Sequence, residues 1–287
     1  MVFGKQAIED QQPAGLKRMN KTDWPDQYPA LVGEYAAPVE GDAPEAAALR
    51  PLLKQTQLEF QPLALAYDAA QHGWSADAFH AKLDGLGAAV LVVEARAPGV
   101  AVAARLRVLT SAPPQTAGGA VCGGYNPKGW LGYGDWRDAI SAFLFTWPDG
   151  NTAKPALKLP KTVRAAPERV SPRAAGLTPR IGAQGGSGMA IIDEQGGGPQ
   201  FGPEGLKVSI GARSARSRLG TYYERRPGGG RSLFTDDEGT TAEVVCLRAW
   251  VGVGVAPGTE GYKPSMLQWQ PGELEKLREQ DAKRGER

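Results

Sequence analysis

The chain has 287 residues, of which 41% are hydrophobic and 22% are charged, and its formal net charge is +2. This length supports one domain core with additional arms and insertions, and the near-neutral balance does not by itself indicate a strongly acidic or basic partner. The 38 glycines and 23 prolines argue against a long all-helical fold.

The N-terminal residues and the cysteine usage predict a cytoplasmic location. Residues 1–10 carry acids and a glutamine where a signal peptide has a continuous apolar core. The longest apolar run, at 88–93, is far shorter than the roughly 20 residues that a membrane helix needs. The two cysteines, Cys122 and Cys246, form no Cys-x-x-Cys pair, and we expect no structural disulfide in a reducing compartment.

Residues 1–57 are predicted to form an extended, proline-rich N-terminal arm. Prolines recur too often for a long helix, with 44–53 as the one stretch that could form a short one. Two interpretations of the arm remain open from composition. Its spaced apolar side chains either insert into pockets on another surface or belong to a loose tail; they are Trp24, Tyr28, Leu31, Val32 and Tyr35.

Two helices are predicted after the arm. The apolar residues of 62–70 share one helical face, and Gly73 suits the left-handed residue that closes a helix. Ser75 is a favourable N-cap for a second helix ending at Leu83. Phe79 and Leu83 are four residues apart on that helix, so both should face the core.

From Ala88 onward the pattern changes to alternating and continuous apolar runs that are typical of strands. The last run, interrupted only by Arg248, indicates a strand buried on both faces. Two helices followed by many strands predict an α+β fold, built as a two-layer antiparallel β-sandwich flanked by short helices. The predicted strands are 90–93, 100–109, 120–125, 142–147, 188–192, 206–210 and 242–253.

A basic, proline-rich insertion is predicted at about 148–187, between two strands. Glu168 is the only acid between residues 154 and 180. A solvated loop and a stiffened strip that lies along an acidic surface are both compatible with this composition. Nucleic acid is not expected, because no aromatic residues interleave for base stacking. The cations are Lys154, Lys158, Lys161, Arg164, Arg169, Arg173 and Arg180, and the strip is predicted to extend to Arg213, Arg216, Arg218, Arg225, Arg226 and Arg231.

The sequence offers little for catalysis, cofactors or metals. The glycines at 196–202 lack the Lys-Ser/Thr of a phosphate loop, and 182–188 follows no strand. Cys122 with His72 or His80 and Asp84 supplies the residue types of a cysteine hydrolase, but Cys122 lies in an apolar strand, where a buried thiol is the safer interpretation. The two histidines have no further ligands at metal spacing. We therefore expect no catalytic, cofactor or metal site.

Several short motifs occur in order across roughly 60–252. They are Gly73-Trp74-Ser75-Ala76-Asp77-Ala78-Phe79-His80, Asp84-Gly85, Gly123-Gly124-Tyr125, Ala142-Phe143-Leu144-Phe145, Gly196 to Gly202, Leu219-Gly220-Thr221-Tyr222-Tyr223-Glu224 and Glu243-Val244-Val245. Together these motifs resemble the TLDc domain family. The resemblance implies the same α+β architecture and places a domain at 58–255, and a charged tail at 256–287 is predicted to be helical from about 271. At 203–207 the chain departs from the glycine-rich motif of the family.

Such domains are, as a family, interaction modules without an agreed catalytic site, linked to oxidation resistance and to binding and inhibiting the vacuolar proton-pumping ATPase. We expect a non-enzymatic structural or adaptor component of a large assembly, with ciliary axoneme microtubules as one setting and regulation of that ATPase as the alternative. For Glu224, a buried acid that fixes its loop is expected, with surface recognition as the alternative. The candidate binding residues are Trp24, Tyr28, Tyr35, Gly73, Ser75, Lys154, Lys158, Lys161, Arg164, Arg169, Arg173 and Glu224.

Overall fold

The computed structural model describes residues 21, 24–96, 119–132, 134–162, 190–193, 196–234 and 239–253. Two short α-helices, α1 (Ala69–His72) and α2 (Ala76–Leu83), accompany 3-10 turns at Pro25–Gln27, Pro44–Ala46 and Arg50–Leu53. The strands are β1 (Leu63–Asp68), β2 (Ala89–Arg96), β3 (Gly119–Asn126), β4 (Asp135–Arg137), β5 (Phe143–Trp147), β6 (Leu157–Pro160), β7 (Ile191–Asp193), β8 (Gln200–Phe201), β9 (Leu206–Ser209), β10 (Ser214–Arg216) and β11 (Thr241–Gly252).

Strand pairing among the described residues is antiparallel throughout the named strands. The order is β4-β7-β8-β9-β10-β11-β2-β3-β5-β6, and β1 also pairs with β11. The sheet folds back on itself, because the ring of Phe201 in β8 packs against Trp130 and lies over Gly124 in β3. The mostly antiparallel α+β fold with short helices, predicted from the sequence, is confirmed.

The longest strand, β11, organises the sheet. One of its edges pairs with β2 along nearly its whole length, with a bulge between Val244 and Cys246. Its other edge pairs with β10 near the start and with β1 near the end. Leu247 and Ala249 face one side and Trp250 the other, and all three are buried. The prediction of a strand buried on both faces at 242–253 is thus confirmed.

Two hydrophobic cores lie on opposite faces of β2, β3, β5 and β11. The inner core lies within the folded sheet and includes Leu91, Cys122 and Leu144. The outer core lies between the sheet and residues 30–58 of the arm. In the outer core, leucines of the arm pack with aromatic side chains of the sheet; its members include Leu49, Leu52, Leu53, Leu58, Tyr125, Phe143, Phe145, Trp147 and Trp250.

The predicted helix over 62–70 is wrong, because Leu63–Asp68 is strand β1. A bulge between Leu65 and Tyr67 explains the error. It adds one residue to the strand, so Leu63 lies in the outer core while Tyr67 lies in the inner core. The apolar spacing therefore imitates a helical period, and pairing with β11 decides the structure.

The second predicted helix is confirmed as α2. The Ser75 hydroxyl accepts a 3.1 Å hydrogen bond from the Ala78 N–H, and Phe79 and Leu83 are buried. Gly73, with φ of 102°, closes the short α1 rather than a long helix. The expected short helix at 44–53 is found as two 3-10 turns.

Most of the other strand predictions are confirmed where residues are described. The runs at 90–93, 120–125, 142–147 and 206–210 correspond to β2, β3, β5 and β9. The predicted strand at 100–109 and the helix from 271 lie outside the described residues, as do the first two residues of 188–192, whose last two residues begin β7. The strands β4, β6, β8 and β10 were not predicted. No helix among the described residues is long and apolar enough to cross a membrane.

Candidate protein-interaction surface

Arg50 fixes the arm into a closed loop against the sheet. Its guanidinium donates to both carboxylate oxygens of Asp42, at 2.7 Å and 2.5 Å, and to the backbone carbonyls of Leu58 and Gln61. Arg50 is buried, and its charge-assisted bonds to Asp42 hold the pKa of that carboxyl below its usual range despite the burial that opposes this shift. The part of the arm from residue 42 onward is therefore integrated with the fold.

The aromatic candidates of the arm differ in exposure. Tyr35 is 59% exposed and Val32 58% exposed, so both are accessible. Trp24 and Tyr28 are half-buried, and each has an interaction within the protein. Tyr35 is thus the arm residue best placed to contact another molecule.

The described lysines of the predicted insertion have three different environments. Lys154 is exposed and pairs with Asp149 at 2.6 Å. Lys158 is half-buried, and Lys161 is buried opposite Tyr223 in an isolated bridge. Burial lowers the pKa of Lys161. Arg164, Arg169, Arg173 and Arg180 lie outside the described residues, so the proposed basic strip stays a prediction.

The remaining sequence candidates lie in local structural positions. Gly73 and Ser75 cap the two helices and flank Trp74, whose ring stacks 4.6 Å from the Arg213 guanidinium. Glu224 has an exposed side chain, while its backbone N–H donates to the Pro160 carbonyl at 3.0 Å. The expectation of a buried Glu224 carboxylate is therefore wrong, and surface recognition is the interpretation that remains.

The residue types that a cysteine hydrolase would need are not assembled around a reactive thiol. Cys122 is fully buried in the inner core, and burial raises the pKa of its thiol. The Nδ1 atom of His80 lies 2.8 Å from the Asp84 carboxylate, whereas His72 accepts a hydrogen bond from the Asp68 N–H. Within the described residues, no group of three His, Cys, Asp or Glu side chains is arranged to hold a metal ion.

A basic surface forms on the segment that includes β9 and β10. Between residues 204 and 231 the exposed acids are Glu204 and Glu224, so exposed cations outnumber them three to one. Arg226, predicted with this group, is instead buried. We call the exposed cations the basic surface; they are Lys207, Arg213, Arg216, Arg218, Arg225 and Arg231.

Backbone and side-chain contacts bring much of the basic surface together. Lys207 of β9 lies directly opposite Arg216 of β10 in the antiparallel register. The Leu219 N–H donates to the Arg231 carbonyl at 2.7 Å, and the Arg225 side chain lies against Gly220. Arg218 is therefore followed by a turn that carries Arg225 and Arg231 beside it. Lys207 was missed from the sequence, although the alternation of Lys207 with Val208 is a strand signal that could have revealed it.

A family model matches part of the chain. The family model described as the TLDc domain matches residues 42–158, and no curated protein matches the chain. The match begins within the arm, at the Asp42 that binds Arg50, and ends at Lys158. The later motifs lie beyond the match, and two of them, at 196–202 and 243–245, include residues of β8 and β11 in the same sheet. The match over residues 42–158 supports membership of the TLDc domain family.

Proposed function

We propose that this chain is a non-enzymatic protein-interaction module that acts as a structural or adaptor component of a large assembly. The observation that carries the proposal is the basic surface, whose exposed cations outnumber the exposed acids of the same segment three to one. A concentration of one charge sign attracts a surface of the opposite sign and raises the rate of association. The partner surface in this proposal is acidic and belongs to a protein.

The structural roles of the hydrolase candidates support the non-enzymatic part of the proposal. Cys122 is a core residue, and His80 pairs with Asp84 at the end of α2. A nucleophilic cysteine needs a depressed thiol pKa and access to substrate. Burial works against both requirements at Cys122.

The setting that we propose is the ciliary axoneme, where the basic surface would lie on the acidic surface of microtubules. Regulation of the vacuolar proton-pumping ATPase, with a role in oxidation resistance, is the alternative that membership of the TLDc family suggests. The two differ in partner, so recovery from native cells separates them. Tubulin and axonemal proteins are expected with the first function and ATPase subunits with the second.

Microtubule co-sedimentation tests the proposal directly. The double variant Arg216→Gln/Arg225→Gln removes two cations of the basic surface, and we expect its binding at low salt to fall about tenfold or more. The matched control, Lys82→Glu, lowers the net charge by the same two units at an exposed site on α2 and should bind within about twofold of the wild type. Equal binding by the wild type and both variants would reject the basic surface as the microtubule contact.

A pull-down from native cells then decides between the two partners. Substitution is preferable to removal of the arm, because residues 49–58 contribute to the outer core and their loss would disturb the fold. Enrichment of ATPase subunits by the wild type, undiminished in the Arg216→Gln/Arg225→Gln variant, would replace the axonemal proposal with the regulatory one.

A further inference from the structure

A small concave site lies within the basic surface. Its volume is about 280 Å³, and its lining includes three cations of the basic surface, Lys207, Arg216 and Arg218, together with Glu204, Ser217 and Thr240. Sites that enclose drug-sized ligands have volumes of about 300 to 1,000 Å³. This pocket lies at the lower end of that range and has room for a side chain.

Two of the cations that line the pocket are placed at some cost to the fold. Lys207 and Arg216 are directly opposite each other on neighbouring antiparallel strands, and like charges in that relationship repel. Both side chains are exposed, and within the described part of the chain neither forms a salt bridge. An anion placed between them would relieve this repulsion.

The backbone around the pocket is held in place by hydrogen bonds. The Ser217 hydroxyl donates to the Gly205 carbonyl at 2.8 Å and accepts from the Leu233 N–H at 3.2 Å. The Ser217 N–H donates to the Thr240 carbonyl at 2.8 Å. Ser217 is buried, so its hydroxyl supports the site instead of reaching a ligand. The backbone that carries the flanking cations is thus fixed by hydrogen bonds.

Glu204 is an internal competitor for these cations. One of its carboxylate oxygens lies 3.4 Å from the Arg218 guanidinium, with the two side chains 43% and 61% exposed. An exposed pair at this distance contributes little to stability. The backbone nevertheless keeps Glu204 beside the pocket, since the Arg218 N–H donates to its carbonyl at 2.7 Å. A negative charge held there repels any anion that enters.

We infer that this pocket binds a side-chain carboxylate of an acidic peptide segment, with Lys207 and Arg216 as its principal ligands. The inference rests on the proposed function and specifies the contact through which the basic surface recognises its partner. A run of carboxylates can place one group in the pocket and another beside the exposed Arg225 side chain, whereas a small free anion can occupy only the pocket. A segment with consecutive acidic residues therefore fits this surface better than inorganic phosphate does.

Fluorescence anisotropy with fluorescein-labelled hexaglutamate tests the inference on the full-length chain at low ionic strength. Lys207→Gln should weaken binding about fivefold, whereas Lys82→Gln, which removes the same charge from α2, should change it less than about twofold. Glu204→Gln should strengthen binding about threefold, because it removes the competing carboxylate. Glu224→Gln removes an exposed acid outside the pocket and should have a smaller effect than Glu204→Gln.

The outcomes separate the pocket from the wider proposal. Equal losses for Lys207→Gln and Lys82→Gln, or no gain for Glu204→Gln, would overturn the pocket and leave a diffuse electrostatic attraction. Displacement of hexaglutamate by an equal concentration of inorganic phosphate would also overturn it, since the site would then be a general anion site. If the wild-type protein binds microtubules but not hexaglutamate, the pocket alone is rejected. If the wild-type protein binds neither, the proposed function is rejected as well. Urea unfolding of each variant verifies that it is folded.

Discussion

The Lys158 ammonium donates a 2.7 Å hydrogen bond to the backbone carbonyl of Leu52, a residue 106 positions earlier in the chain. The same ammonium lies 4.1 Å from the centre of the Phe143 ring. Lys158 is in edge strand β6 and Leu52 is in the arm. The contact therefore joins the last strand of the sheet to the segment that covers its outer face, and it assigns a structural position to a lysine that the sequence suggested for partner binding.

The stability contributed through Lys158 should depend on pH. Burial lowers the pKa of Lys158 to about 8, although the Glu59 carboxylate acts in the opposite direction and raises it. Between about 8 and about 10.4, the value of an unfolded lysine, the unfolded chain binds more protons than the folded one, so the free energy of unfolding rises with pH. Lys158→Met lacks this titration. From pH 7 to 10.5 the wild type should gain roughly 2 to 3 kcal/mol relative to that variant.

Urea unfolding followed by tryptophan fluorescence measures this difference. Lys158→Arg is a useful second variant because arginine stays protonated throughout the window, so its deficit against the wild type should also grow above pH 8. A difference between wild type and Lys158→Met that does not vary from pH 7 to 10.5 would show that the Lys158 ammonium is not buried as described.

The arm should contribute to stability through its leucines. Leu53 is fully buried in the outer core, whereas Val32 of the same arm is 58% exposed. We expect Leu53→Ala to reduce the free energy of unfolding by about 2 to 5 kcal/mol and Val32→Ala by less than about 0.5 kcal/mol. Urea unfolding measures both losses as shifts of the midpoint, with the dependence of the unfolding free energy on urea concentration unchanged. Similar small losses for the two variants would mean that the arm does not pack on the sheet.

Gly123, in the Gly-Gly-Tyr motif of β3, should not tolerate a side chain. A Cβ at this position would lie 1.9 Å from the Leu91 carbonyl oxygen and 2.7 Å from the Phe145 ring. The strand would have to separate from β2, so Gly123→Ala should cost about 3 kcal/mol or more, or prevent folding. Gly196→Ala is the control, since its Cβ would meet no atom within 4 Å. Thermal unfolding of the soluble protein checks both, and equal melting temperatures would contradict the close approach.

Neither cysteine should react readily in the folded protein. Burial raises the pKa of Cys122, and burial together with the nearby Glu94 carboxylate raises that of Cys246 to about 12. Thiolates are the reactive species, so iodoacetamide at pH 7.5 should leave both residues unmodified in buffer and label both in urea. Peptide mass spectrometry gives the extent at each site. Rapid labelling of native Cys246 would instead indicate a cysteine capable of responding to oxidants.

Local sequence patterns were sufficient to predict several secondary-structure elements and the family. The Ser75 N-cap with Phe79 four residues later predicted α2, and the apolar runs predicted β2, β3, β5 and β11. These signals are legible in sequence because capping and continuous burial act on neighbouring residues. The ordered motifs also led to the TLDc family, which the match at 42–158 confirms.

Long-range contacts decided the rest. The bulge in β1 exists because β11 pairs with it, and no residue within 62–70 encodes that partner. The same holds for Lys158. The composition of the segment around it suggested a solvated strip, but its burial depends on Leu52 and Phe143. The sequence by itself determined the family, the main strands and an excess of cations near 204–231. Only the tertiary structure decided which cations are exposed and which meet at one pocket, because burial and cross-strand register depend on residues far apart in the chain.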